Sequence, residues 1–205
     1  LTTPVAGEVT FTGVSIDSRT IAPGALFVAV RGPRFDGHDF LAEAAGRHAR
    51  AALVHRDVEP PAGLPLVRVA DTTKGLADLA RHVRREAAIP VVAVTGSVGK
   101  TTTKDMTAHL LATRGPVLKT EGNLNNQYGL PLTLLRLEER HTAAVLELGM
   151  SAPGELRALC EIARPNLGII TNIGTAHIEF MGTREAIAEE KGALARCLPE
   201  DGALF

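Results

Sequence analysis

The sequence has 205 residues, a hydrophobic content of 45% and a formal net charge of −1, which suits one large globular domain or two small ones with a sizeable core. A charge near zero argues against non-specific binding to nucleic acid or anionic membranes, and no apolar run approaches the length of a membrane span. Cys160 and Cys197 show no metal-binding spacing, so free thiols in a cytoplasmic protein are expected.

Residues 1–88 are predicted to form a small α/β domain. Apolar runs and helical periodicity place its strands at 26–30, 51–54 and 66–69 and its helices at 40–47 and 72–86. Asp71 is positioned to cap the second helix. The segment Ala-Ala-Ile-Pro at 87–90 predicts a hinge to a second domain, 89–205.

Two polar clusters in the first domain lie in loops beside predicted strands, where binding groups commonly occur. One contains Ser18 and Arg19, and the other contains Asp36 and His38. Arg19 could pair with a phosphate and Ser18 could donate a hydrogen bond. Ordinary turn chemistry is an equal alternative for both clusters, and His38 taken alone favours a structural role.

From residue 91 onward, apolar runs alternate with helical patterns, which predicts a parallel sheet covered on both faces. Strands are expected at 91–94, 143–148 and 167–170, and helices at 101–111, 130–137, 154–163 and from a Thr183 cap through Leu194. Ligands of such sheets bind beyond the carboxyl ends of the strands. The polar residues that follow these three strands should therefore lie at the same edge.

The turn after the strand at 91–94 has the composition of a phosphate-binding loop. Glycines allow several N–H groups to face one point, and the following helix adds a partial positive charge. Val94 stands where the common pattern has its first glycine, so the loop is a variant, and a chance Gly-Lys-Thr turn is the alternative. The candidate nucleotide contacts are Gly96, Ser97, Val98, Gly99, Lys100, Thr101 and Thr102.

Lys100 is expected to reach the outer phosphates and Thr101 to ligate Mg²⁺. Glu147 lies in an otherwise apolar strand, where an unpaired carboxylate is costly. A Mg²⁺ shared with Thr101 would satisfy it, and an ion pair with Lys or Arg is the alternative. His177 follows a strand end, which leaves a metal or nucleotide contact and a structural role equally open.

A third loop contains Asn123, Asn125 and Asn126. Its composition suits a tight turn, although carboxamides also offer donors and acceptors to a nucleotide or substrate. Lys191 lies in the last predicted helix, and the pattern alone favours a solvated helix face there.

At these motifs the chain resembles the Mur ligases, which join amino acids to the peptidoglycan precursor. The resemblance is carried by residues 94–104, 122–126, 129–133, 147–150 and 171–177, and it extends over nearly the whole chain. The first domain is similar to a UDP-binding domain of the family. The Asn-Leu-Asn-Asn loop favours the member that adds D-alanyl-D-alanine to UDP-N-acetylmuramoyl-tripeptide over the member that adds the third amino acid.

This resemblance implies ligation through an ATP-derived acyl phosphate, which the amine of D-alanyl-D-alanine attacks. It implies that Thr101 and Glu147 hold one Mg²⁺ and that His177 and a carbamylated Lys191 serve a second. The implied catalytic residues are Lys100, His177 and Lys191; the further nucleotide contacts are Asn126 and Asn172; and the substrate contacts are Ser18, Arg19, Asp36, His38, Asn123 and Asn125. A monomer that binds no nucleic acid and inserts into no membrane is expected.

The family has three domains, whereas the sequence stops within the second. Residues 201–205 read as a turn leading into a further strand, so the chain is expected to be a piece of a longer protein that does not ligate alone. Besides the third-residue ligase, two other readings compete. A regulatory P-loop module would hydrolyse nucleotide without a carboxylate acceptor, and a UDP-sugar-binding module would bind its ligand without Lys100.

Overall fold

The computed structural model of the chain describes residues 10–205. The chain divides into two compact units, Leu1–Asp78 and Leu79–Phe205, and the first nine residues of the predicted N-terminal domain lie outside the described part. In the described part, no helix has the length and apolar character needed to cross a bilayer.

The first unit contains a four-stranded parallel sheet in the order β1-β2-β3-β4. Its strands are β1 (Val14–Ser15), β2 (Leu26–Val28), β3 (Ala51–Val54) and β4 (Leu66–Arg68), and its helices are a 3₁₀ turn (Gly37–Phe40), α1 (Leu41–Gly46) and the start of α2 (Thr72–Glu86). Phe27 and Leu41 are among the buried residues of its core. As predicted, Asp71 caps α2, because its Oδ1 accepts a 2.9 Å hydrogen bond from the Lys74 amide.

The second unit contains a five-stranded parallel sheet in the order β6-β7-β5-β8-β9. The strands are β5 (Val91–Thr95), β6 (Val117–Lys119), β7 (Ala143–Glu147), β8 (Leu167–Ile170) and β9 (Ala203–Leu204). The helices are α3 (Lys100–Leu111), α4 (Gly129–Leu134), α5 (Glu155–Ala163), α6 (Ile178–Met181) and α7 (Arg184–Cys197). Helix α3 packs on β5, β6 and β7, while α7 packs on β5, β8 and α5.

Strands β5 and β7 are buried along their whole length, which explains why they read as continuous apolar runs rather than as alternating patterns. The chain leaves β5 toward β6 on one side of the sheet and leaves β7 toward β8 on the other side, so a topological switch point lies between the ends of the neighbouring strands β5 and β7. The register pairs Val94 with Glu147 and Thr95 with Ile170, so the segments that follow all three strands meet at one edge.

The α/β class with parallel sheets is confirmed. The Thr183 cap is also confirmed, since its hydroxyl accepts a 3.1 Å bond from the Ala186 amide. Two predicted helices differ in extent: the helix at 40–47 begins as a 3₁₀ turn, and the helix at 130–137 ends at Leu134. Strands β1 and β6 and helix α6 have only two to four residues, too few to show a periodicity in the sequence.

Candidate active site

The phosphate-binding loop joins the end of β5 to the start of α3. Gly96 and Gly99 have φ values of +146° and +82°, a region that favours glycine. A Cβ atom on Gly96 would also overlap the hydroxyl of Thr171. The ammonium of Lys100 folds back and donates a 2.9 Å hydrogen bond to the Gly96 carbonyl. The loop is thus a tight turn that only glycine can make at its first position.

The N-terminus of α3 presents its backbone donors beside this turn. Thr103 is the first residue of the helix whose amide donates along the helix axis, to the Gly99 carbonyl at 3.0 Å. The preceding amides, at Lys100, Thr101 and Thr102, have no intrahelical acceptor, as is general for a helix start. Together with the helix dipole they form a surface suited to an anion.

Thr101 and Glu147 are in direct contact at this edge. The Thr101 hydroxyl donates a 2.8 Å hydrogen bond to Glu147 Oε2, and the carboxamide of Asn125 donates a bond of the same length to Oε1. Glu147 is 3% exposed, and no Lys or Arg among residues 10–205 pairs with it. A buried carboxylate next to a hydroxyl supplies the oxygen ligands that Mg²⁺ prefers, so the residues fit a magnesium ion.

Two further residues hold Glu147 in place, and the sequence analysis missed both. The Glu147 amide donates a 2.9 Å hydrogen bond to the hydroxyl of Thr120, which is fully buried. The Thr120 carbonyl accepts a 2.8 Å bond from the ammonium of Lys104, a buried side chain of α3. The place of Lys104 one turn after Thr101 gave no indication of its partner, and no sequence pattern pointed to Thr120.

A cavity of about 590 Å³ opens at the same edge. It is lined by Gly96, Lys100, Asn125, Asn126, Gln127, Gly149, Met150, Ser151, Glu155, Ala158, Leu159, Ile162, His177 and Lys191. The structure therefore brings together six of the predicted site residues of the second domain around one space: Gly96, Lys100, Asn125, Asn126, His177 and Lys191. His177 is exposed and precedes α6 with a left-handed φ of 65°.

Lys191 is buried, so the solvated helix face that its sequence pattern suggested is wrong. Its side chain is 2% exposed and lines the cavity. The pKa of its ammonium is lowered to about 8, mainly because burial penalises the charged form and also because Lys100 carries the same charge nearby; Glu190 opposes the shift. A neutral amine is therefore accessible at Lys191 near physiological pH.

The remaining predicted asparagines bond to the chain itself. Asn172 Oδ1 accepts 3.0 Å hydrogen bonds from the amides of Ser97 and Val98. Asn126 Oδ1 accepts from the amides of Tyr128 and Gly129 at the start of α4. Asn123 is exposed in the turn before them.

In the first unit, the predicted substrate contacts Ser18 and Arg19 already have partners. The buried Ser18 hydroxyl donates a 2.8 Å bond to Glu43 Oε2. The exposed guanidinium of Arg19 contacts both oxygens of Asp17 at 2.9 and 2.7 Å, which lowers the pKa of that carboxyl. A ligand would have to exchange with these partners, and the substrate contacts remain predictions.

Asp36 and His38 form a second paired cluster in the first unit. His38 Nδ1 lies 2.5 Å from Asp36 Oδ1, and its Nε2 accepts a 3.1 Å bond from the His55 amide. Both ring nitrogens of this buried histidine are therefore used within the fold. Arg56 lies 3.6 Å from the other oxygen of Asp36. This geometry indicates a structural role for His38, and a contact between His38 and the substrate stays a prediction.

Family models match both parts of the chain. Residues 10–84 match the model described as "Mur ligase family, catalytic domain", and residues 94–205 match the "Mur ligase middle domain". The chain is 43% identical over 206 residues to the UDP-N-acetylmuramoyl-tripeptide–D-alanyl-D-alanine ligase of Bacillus subtilis, covering 100% of the chain and 45% of that protein. For the ligase of the same name in Escherichia coli the identity is 42%, covering 95% of the chain and 43% of that protein.

Solved structures give the same result. A crystal structure of MurF from Acinetobacter baumannii superposes with a TM-score of 0.90 at 38% identity, covering 95% of this chain and 43% of that one. The MurF ligase of Thermotoga maritima in complex with ADP superposes with a TM-score of 0.86 at 40% identity, covering 94% and 44%. The chain thus spans less than half the length of these relatives.

Proposed function

The chain belongs to the Mur ligase family, and from this we propose that the full-length protein is the ATP-dependent ligase that adds D-alanyl-D-alanine to UDP-N-acetylmuramoyl-tripeptide in peptidoglycan precursor synthesis. The observation that carries the proposal is the arrangement at the end of β5. Three features meet at this edge of the sheet. They are the amides at the start of α3, the hydrogen-bonded pair of Thr101 and Glu147, and the cavity lined by Lys100, His177 and Lys191.

The reaction requires a carboxylate to be made reactive and an amine to attack it. Transfer of the γ-phosphoryl group of ATP to the terminal carboxylate of the tripeptide gives an acyl phosphate. Attack by the amine of D-alanyl-D-alanine gives a tetrahedral intermediate, which releases phosphate and leaves the amide. Such chemistry depends on positioning and on neutralising phosphoryl charge rather than on a protein nucleophile.

Different residues of the chain bind the phosphates and the cation. The amides at the start of α3, at Lys100, Thr101 and Thr102, hold the phosphates, and the Lys100 ammonium leaves the Gly96 carbonyl to reach the transferred group. Thr101 and Glu147 are the ligands for one Mg²⁺, which when bound neutralises phosphate charge. Asn125 orients Glu147 through its 2.8 Å bond, and Asn126 faces the same cavity.

Lys191 and His177 are assigned to a second Mg²⁺. A neutral lysine amine reacts with CO₂ to form a carbamate and a proton, which replaces a cation with an anion. The lowered pKa of Lys191 favours that reaction, and the neighbouring Lys100 supplies a positive charge to stabilise the product. The carbamate and the His177 imidazole would then be the cation's protein ligands.

The first domain, residues 1–88, is assigned to the UDP part of the substrate, with Ser18, Arg19, Asp36 and His38 as its contacts. Asn123 and Asn125 are assigned to the peptide side. The second domain, 89–205, binds ATP. A cytoplasmic, monomeric protein that binds no nucleic acid is the corresponding proposal for the whole molecule.

The test is an activity assay of the full-length protein with ATP, UDP-N-acetylmuramoyl-tripeptide and D-alanyl-D-alanine, following phosphate release and product mass. Lys100→Ala should lower kcat by roughly 10²–10³-fold, the scale for removing one preorganised charge. Lys74→Ala, which removes an exposed lysine paired with Asp78, is the matched control and should leave kcat unchanged.

The substrate arms of the same assay separate the alternatives. Turnover with a diamino acid and the dipeptide precursor, in place of D-alanyl-D-alanine, would show the third-residue ligase. Hydrolysis of ATP at full rate without any carboxylate acceptor would instead show a regulatory nucleotide-binding module.

A further inference from the structure

Three residues of the segment that follows β8, namely Thr171, Asn172 and Gly174, are hydrogen-bonded to the phosphate-binding loop. Thr171 donates its hydroxyl to the Val98 carbonyl at 2.6 Å. Asn172 Oδ1 accepts from the amides of Ser97 and Val98 at 3.0 Å each, and its backbone carbonyl accepts a second bond from Ser97 at 3.2 Å. The Gly174 amide donates to the Ser97 hydroxyl at 2.9 Å.

Asn172 occupies the central place in this contact. Its single carboxamide oxygen bridges two successive amides of the loop, which fixes the orientation of the peptide between Ser97 and Val98. Those two donors point at Asn172, whereas the donors of Lys100, Thr101 and Thr102, at the start of α3, have no intrahelical acceptor. The loop thus has two sets of amides, one bound to the fold and one available to an anion.

We propose that Asn172 is a positioning residue, which holds the first half of the phosphate-binding loop so that the amides of its second half stay directed at the phosphates of the nucleotide. It acts from behind the loop through Ser97 and Val98, without contacting the base or ribose. The identity of the ligand rests on the proposed function, whereas the hydrogen bonds to Ser97 and Val98 do not.

A second consequence concerns His177, which lies in the continuation of the same segment. Because Thr171, Asn172 and Gly174 are each bonded to the loop, the backbone that carries His177 is fixed to the phosphate site. A shift of the loop on binding phosphate would therefore be transmitted to the segment before His177. Loss of the Asn172 bonds should loosen both parts together.

The test uses Asn172→Leu, which keeps the size of the side chain and removes its acceptor, and Asn172→Asp, which keeps the acceptor. Amide hydrogen exchange is measured by NMR on the ligand-free protein at Ser97 and Val98. Affinities for ATP and for inorganic tripolyphosphate are measured by calorimetry without acceptor substrate. Asn166→Leu is the matched control, because Asn166 Oδ1 accepts a hydrogen bond from the Val91 amide at the start of β5, at the opposite end of that strand from the phosphate-binding loop.

In Asn172→Leu, the amides of Ser97 and Val98 should exchange about tenfold faster, and the affinities for ATP and tripolyphosphate should also fall about tenfold. The expected change is modest because hydrogen bonds at an exposed side chain contribute only a small net free energy. Asn172→Asp should keep the slow exchange. Asn166→Leu should leave exchange at Ser97 and Val98 and both affinities unchanged when corrected for folded protein.

Three results would overturn the proposal. The first is unchanged amide exchange at Ser97 and Val98 in Asn172→Leu. The second is a loss of affinity for ATP without a loss for tripolyphosphate, which would show that Asn172 contacts the nucleoside directly. The third is a gain of affinity for both ligands, which would show that Asn172 competes with phosphate. The exchange measurement needs no ligand. Its outcome is therefore separate from a failure of the ligase assignment, which would appear as full-length protein that binds tripolyphosphate and forms no amide.

Discussion

The hydroxyl of Thr101 donates a 2.8 Å hydrogen bond to Glu147 Oε2, which joins the first turn of α3 to the last residue of β7. The two residues are 46 positions apart in the chain. They meet because β5 and β7 are parallel neighbours and Val94 is in register with Glu147, so the loop after β5 returns over the end of β7. Two oxygen-bearing side chains, of the kind that a hard cation prefers as ligands, are thereby placed in contact.

Glu147→Gln is expected to weaken Mg²⁺-dependent ATP binding by about 10- to 100-fold, the equivalent of one lost charge-assisted contact of roughly 1.5–3 kcal/mol. Binding measured in EDTA should change much less, because the carboxylate acts through the cation. Titration calorimetry with and without Mg²⁺ measures both quantities. The matched control is Glu139→Gln, an exposed carboxylate outside the cavity. Equal losses with and without Mg²⁺ would contradict the assignment of a metal ligand.

The position of Glu147 beside the phosphate-binding loop followed from the sequence, because strand ends in a parallel sheet share one edge and the strand patterns at 91–94 and 143–148 are unambiguous. The role of Thr120 did not follow. It depends on a three-residue strand, β6, which leaves no periodic signal, and on a tertiary contact from Lys104 that no local pattern encodes. Short elements and buried polar contacts are set by packing around them, so their residues could be found only in the folded chain.

In the first unit, too, the sequence did not identify the hydrogen-bond partners of the polar clusters. Asp-Ser-Arg and Asp-Gly-His clusters are equally suited to turns and to ligand binding, and the sequence left that choice open. In the structure, Arg19 pairs with Asp17, and His38 uses both of its ring nitrogens within the fold. The Glu43 carboxylate that bonds Ser18 lies 25 residues away, and the His55 amide that bonds His38 lies 17 residues away, so these contacts depend on the tertiary fold rather than on local composition.

Lys191 should make stability depend on pH in a defined direction. Its pKa is about 8 in the folded chain and 10.5 when unperturbed, so the unfolded chain holds the proton more tightly. Below pH 8 both states are protonated and the full cost of burying the charge is present, on the order of 3 kcal/mol. As pH rises from 8 to 10.5 that cost disappears, and folding gains stability from this group.

The expected result is that Lys191→Met is more stable than the unsubstituted chain at pH 7 and that the difference shrinks toward pH 10.5. Urea denaturation in CO₂-free buffer, repeated across that range, gives the free energy of unfolding. Lys74→Met replaces an exposed lysine and should show no such pH dependence. A difference that stays constant from pH 7 to pH 10.5 would contradict the lowered pKa.

Carbamylation of Lys191 is a separate prediction with its own measurement. In ¹³C-labelled bicarbonate at pH 8, the protein should show one additional ¹³C carbamate resonance, because about half of the molecules have a neutral amine at Lys191 when its pKa is about 8, and the neutral amine reacts with CO₂. The resonance should be missing in Lys191→Met and present in Lys104→Met. Lys104 is the matched buried lysine, but its ammonium is held by the Thr120 carbonyl and lies 3.2 Å from Asp105. A resonance that survives Lys191→Met would place the carbamate elsewhere.

Arg84 is predicted to be a major contributor to the stability of the second unit. Its guanidinium donates 2.9 Å bonds to the carbonyls of Ala163, Arg164 and Ala87, at the C-terminal ends of α5 and α2. Burial lowers its pKa, and the nearby Arg164 adds to the shift. Arg84→Met should cost about 2–4 kcal/mol in the free energy of unfolding, because buried carbonyls lose their donors and the helix ends lose a cation.

Chemical denaturation measures that cost, with the exposed neighbour Arg85→Met as the control, expected within about 0.5 kcal/mol of the unsubstituted chain. Arg84→Lys should recover little, since an ammonium cannot reach three carbonyls with the planar geometry of a guanidinium. Full recovery by lysine would show that charge alone, rather than the set of hydrogen bonds, stabilises the helix ends.

Gly96→Ala is expected to abolish ATP binding and to lower stability. At Gly96 the backbone has a φ of +146°, and an added Cβ would overlap the Thr171 hydroxyl, so the loop or the segment after β8 must move. Gly46→Ala is the matched control, because its backbone is not strained and nothing lies within 4 Å of an added Cβ. That change should be neutral or stabilising by up to about 1 kcal/mol. Thermal unfolding and ATP titration of both variants provide the comparison, and a Gly96→Ala protein that binds ATP normally would show that the loop does not need its close approach to Thr171.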